Sequence, residues 1–575
     1  MNTIQQRVAN LRDWMKQEGI DIFLVPTLDP HNSEYVAEYW KCRQWLTGFT
    51  GSAGTAVVTA DEALLWTDSR YWIQAGEQLL STPFTLMREG EDIDISEWFF
   101  RAVWKNPGVR IGFAPDMMTP EAFESFFARI RERRCSFVYD SDPFSRLWND
   151  RPALPKAPAM RIPDEIAGKS ANEKLRDMIL WMQERRMKRY LLTDLSEICW
   201  MLNLRGGDVP YNPFLIAFLD VRTNEPSCLY VEPYKMMGLV SYLQSIDVSV
   251  HCYNEGLLLQ RSQITEPRIE SPVPFWRAVK NTTEQEGFRE AHRRDGVAMV
   301  RFLAWLDRTV EGGGEMPTEM DIDRRLTALR MEQPGCCGLS FETIAAYGPH
   351  GAIVHYEATP QTDVRLERRG LLLLDSGAHY DCGTTDITRT IALGALTDEE
   401  RKAYTLVLKG HLQLARAVFP ENTTGLQLDT LARASMWREG MDYGHGTGHG
   451  VGHRLGVHEG PVQIRKNLRA CTTLPFRAGQ TITDEPGIYV AGRFGVRIEN
   501  TLLTQPAFET PMGHFLHFED LTLCPYDLRP VLLHMLTHEE RQWLNDYHQR
   551  VAETLMPFLT DEADREWLRR ATQKC

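Results

Sequence analysis

Residues 369–393 read RGLLLLDSGAHYDCGTTDITRTIAL, and the carboxylates in this stretch decide how the chain is read. Four leucines, 371–374, have the character of a strand buried on both faces, and they run straight into Asp375. A carboxylate at the end of such a strand is costly to bury unless a partner meets it. Asp386 follows eleven residues later, between TTD and ITRTIAL, and a hairpin would bring the two aspartates together. Taken alone, either aspartate could belong to a structural salt bridge.

Two later stretches have the same character. In TITDEPGIYV (481–490), Glu485 follows a strand and precedes a Pro-Gly turn. In FGVRIENTLL (494–503), Glu499 lies inside a largely apolar strand, on the face opposite Val496 and Ile498. A glutamate there is hard to reconcile with stability if both faces are covered. Four such carboxylates between residues 375 and 499 are poorly explained as four independent salt bridges.

Between them lies YGHGTGHGVGH (443–453), with His445, His449 and His453 at intervals of four. A metal-gripping helix would place them on one face. Glycine at every even position from 444 to 452 argues against it, at about 1 kcal/mol each relative to alanine in a helix interior. The alternative is an extended strand with His445, Thr447, His449, Val451 and His453 on one face and bare glycine on the other, where something could pack closely. Histidines four apart on such a strand are roughly 13 Å apart. At most one can then serve a given ion, unless the strand bends sharply, and the remaining ligands must come from elsewhere. One histidine and four carboxylates suit hard or borderline divalent ions, Mn²⁺ foremost, with Co²⁺ or Zn²⁺ also compatible. Four negative charges make two ions the natural count, bridged by carboxylates and sharing a hydroxide nucleophile.

The rest of the 575 residues bounds this reading. The 43% hydrophobic and 25% charged fractions are those of an ordinary globular protein, and the length suggests two to four domains. A net charge of −14 argues against a nucleic-acid surface. No apolar run reaches the 18 residues of a membrane span, so no membrane partner is expected. Ile4, Val8, Leu11 and Met15 describe an amphipathic helix rather than a signal peptide, with Gly19 ending it and a strand following at 20–25. The 11 cysteines are odd in number and form no CxxC pair; we read them as reduced thiols of a cytoplasmic protein.

Three segments emerge. The first carries strands DIFLVP (21–26), TAVVTA (55–60) and ALLWTD (63–68), and GFTGSAG (48–54) reads as a turn rather than the dinucleotide fingerprint GxGxxG. WNDRPALPKAPAM (148–160) reads as a linker. The second segment repeats the grammar: a helix with Met178, Leu180, Met182 and Met187, strand RYLLTD (189–194), a helix over 195–209 ending at Gly206-Gly207, then paired strands FLIAFLDV (214–221) and SCLYVE (227–232). This suggests a duplicated α/β unit. The third opens with a long amphipathic helix over 281–310 with a Thr-x-x-Glu start, and closes with a last helix over 538–559.

On the stretches LLLLDSGAHYDCGTTDITRT, GAIVHY, HGTGHGVGHRLGVHEGP and TDEPGIYVAGRFGVRIEN, the chain resembles the pita-bread metallopeptidases, specifically the Xaa-Pro aminopeptidase (aminopeptidase P) family. NSEYVAEYWKCRQWLTGFTGSAGTAVVT, LLWTDSRYW, NLRGGDVPYNP and WLNDYH extend the resemblance to the three-domain, cytosolic-type form. It implies an α/β (α+β) fold: creatinase-like domains over 1–152 and 153–276, and a pita-bread catalytic domain over 277–575. It implies Asp375 as ligand of one metal, Asp386 and Glu499 as bridges, and His449 and Glu485 as ligands of the other. It further implies His458 as donor to the oxyanion, His355 as the residue orienting the scissile peptide and assisting proton transfer, and His445 as lining a proline-side pocket. Glu485 would double as acid/base partner, and Arg70 would reach the active site of a dimer partner. The implied substrates are peptides with a penultimate proline, whose tertiary amide offers no N–H. The implied assembly is a homodimer. His453-Arg454 departs from the family pattern, and the adjacent Cys336-Cys337 has no explanation. Prolidase shares the ligands but takes dipeptides; methionine aminopeptidase usually lacks two large N-terminal domains. Binding modules built on this fold lose metal ligands that are all kept here.

Overall fold

Leu371–Ser376 is a strand, every residue of it buried, in the computed structural model, which describes residues 3–140, 142–266 and 269–575. It pairs antiparallel with Ile387–Ala392 on one side and Ile344–Tyr347 on the other. Asp375 lies opposite Thr388, so Asp386 sits at the mouth of the same hairpin. A short inner hairpin, Ala378–Tyr380 with Gly383–Thr384, fills the turn. Leu371, Leu372 and Leu374 join one large core with the helix Thr282–Glu311 and the helices Asp398–Ala415 and His538–Leu555.

The chain divides into two units, one of residues up to 162 with 170–272 and one of 163–169 with 273–575. The first two sequence segments thus group together, while residues 163–169 join the C-terminal unit. Within the first unit, strands Ile22–Pro26, Thr55–Thr59 and Ala63–Thr67 form an antiparallel meander, and Thr85–Arg88 adds parallel to its edge. Arg189–Leu192, Phe218–Arg222, Ser227–Tyr230 and Val248–His251 repeat that arrangement strand for strand. The first copy is extended by two parallel strands, Val109–Phe113 and Cys135–Val138. The repeated helix–strand grammar is therefore a repeated sheet topology.

Several elements differ from expectation. The helix starting at Leu195 ends at Met201, because Leu204–Arg205 leaves as a strand that pairs with Met160–Arg161. Residues 214–217 stay outside the Phe218–Arg222 strand. The long helix is capped by Asn281, whose side chain accepts from the Glu284 amide while Glu284 reaches back, not by the Thr-x-x-Glu pair. A further helix, Glu562–Ala571, follows the one expected to be last. All 11 cysteines are free thiols.

Candidate metal centre

The two glutamates come from one hairpin with an interruption. Thr481–Asp484 pairs with Asn500–Thr510, and Gly487–Val490 pairs with Phe494–Arg497. Asp484 stands opposite Asn500 and Gly487 opposite Arg497, so the register is the same on both sides of the gap. Glu485 and Glu499 occupy the gap, where Pro486 cannot donate to a ladder. Their amides are taken by neighbours: Glu485 N donates to the Thr447 carbonyl (2.8 Å) and Glu499 N to the Thr388 carbonyl (3.0 Å). The single expected strand over 494–503 is thus two, and the break frees both carboxylates from the sheet. Val496 and Ile498 face the core, as the alternation requires.

The contact between Thr388 and Glu499 also ties this hairpin to the aspartate hairpin. Thr388 Oγ1 donates to Glu499 Oε2 at 2.7 Å. Asp386, His449 and Glu499 each offer a ligand atom, and these atoms lie within 4.8 Å of one another. His449 Nε2 stands 3.5 Å from Asp386 Oδ2 and 3.4 Å from Glu485 Oε1. Its Nδ1 lies 2.9 Å from the Gly450 carbonyl, an acceptor, which leaves the Nε2 lone pair facing the carboxylates. Thr483 Oγ1 accepts from His449 N (3.0 Å) and donates to Glu485 Oε1 (3.2 Å), binding the strands of these two residues together.

The glycine-rich stretch is extended only at Gly448–Gly450 and bulges between His449 and Gly450. Its glycine face is filled: a Cβ at 448 would stand 1.9 Å from the Thr483 carbonyl oxygen, and one at 450 would stand 2.4 Å from that of Glu459. The three histidines then separate. His445 Nε2 accepts from Tyr489 OH at 2.8 Å. His449 meets the carboxylates. His453 turns away at the chain reversal and packs on Phe288, ring centroids 5.6 Å apart. His458 stands nearly perpendicular to His449 at 4.4 Å.

Asp375 is held by Arg497, whose Nη2 and Nε donate to Oδ2 at 2.6 and 3.2 Å. The other oxygen, Oδ1, is buried with no hydrogen-bond partner among the described residues. Arg497 also donates to Tyr489 OH (2.8 Å), completing a chain Asp375–Arg497–Tyr489–His445. Sequence reasoning passed over Arg497, although it lies two residues before Glu499 on the same strand face; Thr388 stands in the same relation to Asp386. Arg497 Nη2 further donates to the Val354 carbonyl (3.3 Å), which ties the residue before half-buried His355 to Arg497. Arg70 belongs to the other unit, where its guanidinium donates twice to Asp68 at 2.8 Å.

Electrostatics make this cluster a cation site. Burial, then the charges of Asp375 and Glu485, hold the Asp386 carboxyl well above the usual carboxylate range. Burial and the Asp386 charge do the same to Glu499. Burial pushes Glu485 up to about 7, with Arg497 pulling the other way. One guanidinium against four converging carboxylates leaves an excess of negative charge that protons or a bound divalent cation would offset. Oxygen donors with one imidazole, and an orphaned Asp375 oxygen, fit divalent ions.

Residues 286–506 match metallopeptidase family M24, and 514–575 match the C-terminal region of peptidase M24. Residues 7–143 and 150–266 each match the creatinase/prolidase N-terminal domain. A probable Xaa-Pro aminopeptidase P of Paracoccidioides brasiliensis (strain Pb03) is 36% identical over 99% of this chain and 98% of its own. One from Laccaria bicolor is 36% identical over 98% and 92%. The X-prolyl aminopeptidase from Caenorhabditis elegans, described as a cytosolic enzyme with a di-nuclear active site, superposes with a TM-score of 0.93 at 34% identity, covering 100% of both chains.

Proposed function

Because the chain belongs to the Xaa-Pro aminopeptidase P family and is a metal-dependent aminopeptidase with creatinase N-terminal domains and an M24 domain, we propose that it cleaves the bond between an N-terminal residue and a penultimate proline. The observation that carries this reading is the convergence of buried Asp386 and Glu499 with half-buried His449.

Five residues would hold two divalent ions: Asp375 on one, His449 and Glu485 on the other, Asp386 and Glu499 on both. The orphaned Asp375 Oδ1 and the Nε2 of His449 support those ends of the assignment. When bound, the pair would supply Lewis acidity and would make a hydroxide nucleophile available at neutral pH; we propose Mn²⁺ for it. His458, beside His449, donates to the oxyanion that develops on the scissile carbonyl. His355 orients the scissile peptide and assists proton transfer to the leaving proline nitrogen. Glu485 shuttles the proton. His445, fixed by Tyr489, lines the proline side. Arg70 acting in a partner's cleft, and the homodimer this requires, are part of the same proposal. So are the division at 1–152, 153–276 and 277–575 and a cytoplasmic location; no helix among the described residues is long and apolar enough to cross a membrane.

The test is release of the N-terminal residue from Arg-Pro-Pro by chelator-stripped protein reloaded with Mn²⁺, with Arg-Ala-Pro and the dipeptide Arg-Pro as controls. Cleavage of Arg-Pro-Pro alone is expected. Cleavage of Arg-Pro alone would make the chain a prolidase.

A further inference from the structure

We infer that Glu319 is a positioning residue for the reaction, holding His355 in register with the carboxylate cluster; the inference rests on the catalytic reading of His355 given above. No helix or strand is formed between Ala352 and Leu371, so the segment carrying His355 has no ladder to order it. Backbone bonds close local turns, Tyr356 N donating to the Ile353 carbonyl (3.1 Å) across His355, and side chains fix the turn to the rest of the fold.

Glu319 is fully buried (0% exposed) at the start of the helix Glu319–Met331. Four donors between residues 347 and 364 converge on it. Tyr347 N donates to Oε1 at 2.7 Å, and the His350 imidazole Nδ1 stands 2.9 Å from the same oxygen. Tyr356 OH donates to Oε2 at 2.8 Å, and Val364 N to Oε2 at 3.4 Å. The donors lie on both sides of His355, and Tyr356 is its immediate neighbour. On the other side, Val354 is held by Arg497, whose same nitrogen grips Asp375. His355 is therefore clamped between a residue tied to the cluster and one tied to Glu319.

A capping role does not account for Glu319. The helix N-terminus is already closed by the reciprocal Thr318–Asp321 box, and these four donors come from the two sides of His355, two from 347–350 and two from 356–364. The rings of His350 and Tyr356 also stack at 4.3 Å, so the donors before and after His355 pack on each other above one carboxylate.

The test uses Mn²⁺-loaded holoenzyme, Arg-Pro-Pro as substrate, and four variants: Glu319→Ala, Glu319→Gln, His355→Ala and the Glu319→Ala/His355→Ala double. Glu319→Ala is expected to lower kcat on the order of 10²-fold. KM and the bound metal count should change little. Glu319→Gln keeps one acceptor oxygen but turns an NH₂ towards the donors on the other, so it should recover only part of that loss. The double variant should be no slower than His355→Ala, because both changes remove one contribution. Multiplicative effects in the double variant, or an unchanged kcat in Glu319→Ala, would overturn the inference while leaving His355 catalytic. An unchanged kcat in His355→Ala would overturn it from the other side, by removing the reading on which it rests. If Glu319→Ala does not fold, Tyr356→Phe removes the hydroxyl that joins Glu319 and the Thr362 carbonyl next to His355. It should lower kcat several-fold, by about 1 kcal/mol; no change in kcat would count against the clamp.

Discussion

Glu499→Gln is expected to lower kcat/KM on Arg-Pro-Pro by about 10³-fold or more and to reduce bound metal below two ions per chain. The carboxylate is 1% exposed, takes a hydrogen bond from Thr388 Oγ1, and shares a 4.8 Å neighbourhood with Asp386 and His449. An amide of the same shape can still accept from Thr388, so the fold is retained. It cannot carry charge to two ions, and its NH₂ presents donors where lone pairs are needed. Several kcal/mol of cation binding and transition-state stabilisation are lost together, at 1.4 kcal/mol per factor of ten. The metal-free form of the variant should melt no lower than the metal-free parent, since one member of a crowded carboxylate set has been neutralised. That combination separates loss of metal from loss of fold. Metal counting with calorimetric melting of both forms reads it directly.

Gly448→Ala is the second large effect. The new methyl would stand 1.9 Å from the Thr483 carbonyl oxygen, so the Gly448–Gly450 strand must move away from Thr481–Asp484. That movement breaks the bond from His449 N to Thr483 Oγ1 and withdraws Nε2 from Asp386 and Glu485. A displacement of about 1 Å at a reacting centre costs on the order of 10²-fold in rate. Overpacking adds about 1–3 kcal/mol of destabilisation. Gly446→Ala is the control: its methyl meets the Arg465 side chain at 3.4 Å and no backbone atom closer. Activity and melting temperature should stay near the parent there. Equal loss at 446 and 448 would show that glycine is needed for backbone freedom rather than for close packing.

The outcome at these positions explains what the sequence made legible. Alternation along Phe494–Glu499 placed Val496 and Ile498 on the core side, and the aspartate hairpin followed from a leucine run meeting Asp375. The glycine face of 444–452 announced a close neighbour, and the Thr483 and Glu459 carbonyls are those neighbours. The break at Glu485 and Glu499 was not legible, because it depends on where the Thr447 and Thr388 carbonyls fall in space. Arg497 and Thr388 carried a signal that was available, the period of two from a carboxylate already singled out. Glu319 carried none: it lies in a helix 36 residues before His355, and only the folded segment brings its donors together. The long helix was located from its apolar spacing, but its cap was misplaced because Asn281 and Thr283 both have glutamate three residues on. Local spacing could not choose between them.

The dinuclear centre itself is tested most directly by counting. Chelator-stripped protein is titrated with Mn²⁺ while bound metal per chain and Arg-Pro-Pro hydrolysis are followed together. Two ions per chain, with activity absent before loading and reaching its plateau as the second ion binds, is the predicted result. Full hydrolysis by protein that holds no metal, or a plateau reached with no ion bound at Asp386, His449 and Glu499, would contradict it.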